Sequence, residues 1–263
     1  MRLPFLAPKI PVLVIRGLIA PRAGLVNLET LSAPLAKAAA LARRSKTLVL
    51  AIESPGGSAA QSDLLGQAIR RQAEAHNIAI TAVIGDVGAS GGYWLACTAD
   101  RIIANRLSIV GSIGVVSEGF GLDEFIHRHG ITRRTRTAGA HKRRNDMFAP
   151  PSPEDETFTQ DLLDQAHETF KSWVRERRGQ RLCADEDLIF DGGYMLGQTA
   201  HARGLIDGFG DVETVVRELG GKRAQPVYFR PKPPGGLLAR LLRGGAAALL
   251  DALEERSLTA RLR

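Results

Sequence analysis

Apolar runs without polar alternation recur along the first half of the chain, separated by stretches of helical period. PVLVIRGLI (11–19) is rich in β-branched residues and turns at a glycine, which predicts a strand followed by a turn. TLVLAIESPGG (47–57) is a second such run, closed by Pro-Gly-Gly, and IAITAVIGD (78–86) is a third. Between them, Leu31 to Ser45 and Gln61 to His76 repeat apolar residues at helical spacing. GGYWLACTA (91–99) reads as another helix, DRIIAN (100–105) and the glycine-punctuated SIVGSIGVVSE (108–118) as short strands, and GLDEFIHRHG (121–130) as a helix closed by Gly130. ITRRTRT (131–137) looks strand-like. Strands that are apolar on both faces and alternate with helices predict an α/β fold, a mainly parallel sheet flanked by helices.

After Pro150-Pro151-Ser152-Pro153 the character changes. Glu154 to Arg178 is one long charged helix with an apolar stripe through Phe158, Leu162, Leu163, Ala166, Phe170, Trp173 and Val174, and its acidic first turn suits the helix dipole. QTAHARG (198–204) predicts a short helix capped by Gly204, with LID (205–207) as a strand. The division expected is a domain over 1–229, a Pro/Gly linker over 230–236, and a basic amphipathic helix over 237–263 that lies on a membrane or packs on a neighbouring subunit. The N-terminal run is broken by Pro4, Pro8 and Pro11, and no run reaches the ~18 apolar residues of a bilayer span. A cytoplasmic protein is expected, its tail able to touch the inner membrane peripherally.

Composition narrows this further. Hydrophobic residues make up 44% and aromatics only 5%, with 28 glycines, so the core should be built of Ala, Val, Leu and Ile around many tight turns. The net charge of +7 comes from 28 Arg against 7 Lys. The arginines are scattered without interleaved aromatics, which argues against nucleic acid as a partner. Cys97 and Cys183 have neither C-x-x-C nor metal-ligand spacing, and no cofactor or metal is expected.

The candidate chemistry centres on GDVGASGGYWLACTAD (85–100). GASGG (88–92) fits the G-x-S-x-G pattern, with Ser90 where a buried strand gives way to a helix. The free N–H groups of that first helical turn, Gly91 foremost, would face an oxyanion formed beside the hydroxyl. A second donor could come from Ser54-Pro55-Gly56-Gly57, if its strand lies next to that of Ser90. Two structural glycine turns remain the plainer reading of either alone. Two bases are open: His201, which has the late position of a hydrolase triad histidine but lies within a helix, and Lys142 in TAGAHKRRNDMFAP, which composition alone reads as a solvated basic loop. His76 and His167 read as surface residues.

IESPGGSA, GDVGASGGYWLACTADRIIA, VGSIGVVSE, TAGAHKRRNDMFAPPSPED and AHARGLIDGFGD, in this order between about Pro11 and Leu219, resemble the signal peptide peptidase A (SppA) family of Ser-Lys peptidases in the ClpP/crotonase-like superfamily. The resemblance implies repeated ββα units and a serine endopeptidase with Ser90 as nucleophile and Lys142 as general base. Ser112 would orient the lysine amine, and the amides of Gly57 and Gly91 would form the oxyanion hole. It also implies membrane-derived peptides as substrate, signal-peptide remnants among them. A homo-oligomeric ring or dome is expected, in which Ser and Lys can come from adjacent protomers. Unlike many members, the protein is expected to lack an N-terminal membrane anchor. The rival readings are an α/β-hydrolase-type esterase using Ser90 and His201, a crotonase-like acyl-CoA enzyme, and a non-catalytic scaffold.

Overall fold

The computed structural model describes residues 7–139, 141–183 and 185–231. The tail helix expected over 237–263, and most of the linker before it, lie outside the described residues. Three long strands form the centre: β1 (Lys9–Arg16), β2 (Thr47–Ser54) and β3 (Ala79–Ala89). α1 (Leu28–Ser45) and α2 (Ala59–His76) connect them, and α3 (Gly91–Ala96) follows β3. Then come β4 (Arg101–Ala104), β5 (Ile109–Gly111), α4 (Asp123–Arg128) and the long α5 (Pro153–Arg178). α6 (Asp187–Phe190), β6 (Tyr194–Leu196), α7 (Gly197–Ala202), β7 (Gly208–Phe209), α8 (Val212–Gly220) and β8 (Gln225–Phe229) complete the described chain.

The strand order is β6-β5-β3-β2-β1-β8, with β4 pairing both β3 and β7. Every pair is parallel except β5–β6. This is the mainly parallel, helix-flanked α/β sheet of the ClpP/crotonase-like fold. Successive side chains of the central strands alternate between two cores. Leu13, Ile15, Leu50 and Ile52 pack under α1, α2, α3 and α5, while Val12, Val49 and Val83 meet Val215 and Val216 of α8. Each such aliphatic side chain contributes roughly 1.5–3 kcal/mol on full burial, so strands buried on both faces hold the frame rigid.

β3 carries the site because it has two partners in succession. Its first half, Thr81 to Ile84, pairs with β4, and its second half, Val87 to Ala89, pairs with β5. The register against β2 shifts between Ile52 and Ser54. At that irregularity the Glu53 carboxylate accepts hydrogen bonds from the amides of Asp86 and Val87. The strand is thereby prolonged past the sheet's main ladder and delivers Ala89 to the C-terminal edge, where α/β sheets place their sites.

Several boundaries differ from those expected. α1 begins at Leu28 because Asn27 and Thr30 form a reciprocal capping box, and α2 begins at Ala59 because Ser58 caps it. Residues 131–137 form no strand and are exposed. Arginines and threonines occupy both faces of that stretch, so no apolar face draws it into the sheet. The strand expected at 205–207 falls at Gly208–Phe209, since Leu205 and Ile206 are buried in the core. α8 and β8 went unforeseen, and β8 closes the edge beside β1 in parallel.

Candidate active site

Ser90 stands between β3 and α3 with φ 51° and ψ −122°. Ser112, directly after β5, has φ 52°. Positive φ is uncommon for any non-glycine residue and costs on the order of 1–3 kcal/mol, so it persists only where the surroundings enforce it. The enforcement is visible: the Ser90 amide donates to Gly111 O at 2.8 Å, and the Ser112 amide donates to Gly193 O at 2.7 Å. The two serines are thus fixed on adjoining turns. A cavity of about 390 Å³ opens on both, lined also by Gly57, Gly91, Ser62, Trp94 and Phe170.

The Ser54–Ser58 turn presses against the serine. A Cβ on Gly56 (φ 103°) would lie 2.7 Å from both the Gly91 nitrogen and Ser90 Cβ. Gly57 (φ 133°) passes so near Ile19 that a Cβ would meet its carbonyl oxygen at 2.1 Å. Ser54, fully buried, donates to Gly17 O at 2.7 Å and accepts from the Gly56 amide at 3.2 Å, which pins the turn. The neighbouring amides are used: Ile19 donates to Gly56 O and Ser58 donates to Ile19 O. Among the described residues the amides of Gly57 and Gly91 have no backbone acceptor. Two unpartnered donors therefore sit on the wall of the cavity that Ser90 enters, the arrangement an oxyanion needs.

The opposite wall is apolar. Trp94 stacks on Trp173 with centroids 5.7 Å apart and tilts against Phe170 at 5.2 Å, and the Trp173 indole donates to Trp94 O at 3.1 Å. Val115, Val116 and Ala166 extend this wall. Deeper in α3, the Tyr93 hydroxyl donates to Leu205 O at 2.7 Å. Burial pushes the Cys97 thiol up to about 12, which leaves it inert as a nucleophile.

The candidate bases are placed differently. Lys142 is exposed, lies in a turn after Gly139, and is not among the residues lining the cavity. Its neighbours are neutralised: Arg133 and Arg143 both pair with Asp146, and Arg144 pairs with Glu154 and Asp155. The Arg133 and Arg143 guanidinium groups hold the Asp146 carboxyl far below the usual carboxylate range. Among the described residues the Lys142 amine has no ion-pair or hydrogen-bond partner. Within one chain, then, Ser90, Ser112, Gly57 and Gly91 come together and Lys142 does not. His201 is also exposed and away from this cavity, its ring tilted against Phe209 with centroids 4.9 Å apart. His167, expected on the surface, is half-buried, and its ring Nε2 lies 3.0 Å from Ile113 O. Neither that contact nor the strain at the two serines has a sequence signal beyond the spacing of α5.

The sequence profile of peptidase family S49 matches residues 72–225, more than half of the chain. The chain belongs to peptidase family S49. Two relatives are similar to most of the chain. A Brucella abortus protein named Na(+)/H(+) antiporter NhaA is 40% identical over 202 residues, which are 77% of this chain and 27% of that protein. A Haemophilus influenzae protein named probable protease SohB is 29% identical over 193 residues, 73% of this chain and 54% of the relative. The chain thus spans between about a quarter and about half of these relatives. A solved structure of a membrane-bound stomatin-specific protease, in mutant form, superposes with a TM-score of 0.51 at 12% identity, covering 87% of this chain and 100% of that one. At that identity the likeness speaks for a shared fold. No helix among the described residues is long and apolar enough to cross a membrane.

Proposed function

We propose that this S49 chain is a serine endopeptidase with a Ser-Lys dyad, acting on hydrophobic, membrane-derived peptides such as signal-peptide remnants. The observation that carries this reading is Ser90 held at positive φ on a cavity that it shares with Ser112 and two unpartnered amides. In the proposed reaction, neutral Lys142 takes the Ser90 proton as the oxygen attacks the scissile carbonyl. The Gly57 and Gly91 amides receive the oxyanion, each worth about 3 kcal/mol in comparable sites. The lysinium then protonates the leaving amine, and water activated by the same lysine frees the acyl-enzyme. Ser112 orients the amine between these steps. Trp94, Phe170 and Val115 suit an aliphatic substrate side chain beside the scissile bond.

Because Lys142 is exposed and off the cavity of its own chain, the reading includes a homo-oligomer in which a neighbouring protomer supplies the lysine. Exposed Phe120 and Val116, 82% and 74% accessible, fit a surface that a second copy covers. The Brucella relative, which carries its similar segment on a protein named as an ion antiporter, fits a substrate pool at a membrane. The deciding experiment compares wild type, Ser90→Ala and Lys142→Ala on a panel of signal-peptide-like substrates, with fluorophosphonate labelling of Ser90 alongside. Cleavage by wild type alone is the expected result. Turnover retained in Lys142→Ala would refute the dyad.

A further inference from the structure

The turn that carries Ser112 is held at three points. Before it, Gly111 O accepts from the Ser90 amide at 2.8 Å; at it, the Ser112 amide donates to Gly193 O at 2.7 Å. After it, Ile113 O lies 3.0 Å from His167 Nε2. Only the last hold comes from a side chain. A carbonyl oxygen can only accept, so Nε2 carries the hydrogen, and it does so whether the ring is neutral or charged. His167 stands on α5 between Ala166 and Phe170, in a stretch where both of those line the cavity, and the Ile113 side chain is fully buried. The helix that shapes the apolar wall therefore also grips the strained serine turn.

We propose that His167 is a positioning residue of the peptidase site, acting through Ser112. Its hydrogen bond to Ile113 O keeps the turn at positive φ and so keeps the Ser112 hydroxyl directed at the amine of the general base. Without that donor the turn would relax toward an ordinary backbone conformation, and the amine would lose its orienting partner. This rests on the proposed function, since Ser112 matters only if a dyad works beside it.

The test is a double-mutant cycle on the full chain with an internally quenched peptide of Leu/Ala-rich core. His167→Leu should lower kcat about tenfold, the size of one lost hydrogen bond of about 1.4 kcal/mol, while KM moves less than about twofold. His167→Gln, which keeps a donor of similar reach, should recover most of the rate. In a Ser112→Ala background His167→Leu should cause no further loss. Exchange of the Ser112 amide, which donates to Gly193 O, should quicken in His167→Leu and stay slow in His167→Gln. If His167→Leu does not fold, His167→Asn, whose amide falls short of Ile113, takes its place. Equal losses in both backgrounds, or a Gln variant as impaired as Leu, would overturn the positioning role alone. A wild type that neither cleaves peptide nor takes a fluorophosphonate on Ser90 would overturn the peptidase reading, and the inference with it.

Discussion

Ser90 trades stability for placement. Its φ of 51° is a conformation that glycine adopts freely and serine does not. Ser90→Gly should therefore be inactive yet more stable than wild type by about 1 kcal/mol, read as a higher melting temperature. Ser90→Ala, with its Cβ retained, should be equally inactive without that gain. Gly57 predicts the opposite sign. With φ 133° and Ile19 O only 2.1 Å from a Cβ, Gly57→Ala should destabilise the fold by roughly 1–3 kcal/mol and move the amide assigned to the oxyanion, lowering kcat as well. Denaturant unfolding and steady-state kinetics on the same preparation separate the two effects.

At the scale of elements, α5 ties the site to the segment that follows α7. Its last residue, Arg178, is 2% exposed, and its guanidinium makes paired hydrogen bonds to the Asp207 carboxylate at 2.8 and 2.9 Å and one to Gly204 O at 2.9 Å. Burial by itself would raise the Asp207 carboxyl, but the Arg178 guanidinium and the Ile102 amide outweigh it and hold the group below the usual aspartate range. A depressed folded-state value means that the pair stabilises the fold above the unfolded range near pH ~4 and is lost as pH falls through the lower folded value. Asp207→Asn should cost about 3 kcal/mol at neutral pH by leaving Arg178 buried and unpaired, and should flatten the acid limb of a stability-against-pH curve. Arg178 and Asp207 belong to segments that sequence reading took as a helix end and a strand. Their partnership spans 29 positions and has no local signature.

For the whole molecule, the position of Lys142 has a direct consequence. If neighbouring protomers complete each other's sites, mixing inactive Ser90→Ala and Lys142→Ala chains should restore up to about a quarter of wild-type activity, the statistical share of intact junctions in a randomly mixed assembly. Mixing after exchange of subunits, followed by the peptide assay, reads this directly. Activity that never returns would argue against sites shared between protomers.

The alternation of strands and helices from β1 to α3, the glycine turn at 55–57 and the serine at the end of β3 were legible in the sequence, because apolar runs, helical period and Pro/Gly punctuation are local consequences of backbone sterics and side-chain burial. The choice between His201 and Lys142 as base was not legible there: the sequence left both open, and the structure places His201 exposed, tilted against Phe209 and off the cavity. The resemblance to the SppA family rested on short motifs in order along the chain, and the match to family S49 agrees with it. What only the tertiary structure decided are contacts between distant segments: the split pairing of β3, the positive φ at both serines, the grip of His167 on Ile113, the Arg178–Asp207 pair, and the separation of Lys142 from its own chain's cavity. None of these has a period or a spacing. Each arises where a rigid sheet and one long helix bring together groups whose geometry no local rule specifies.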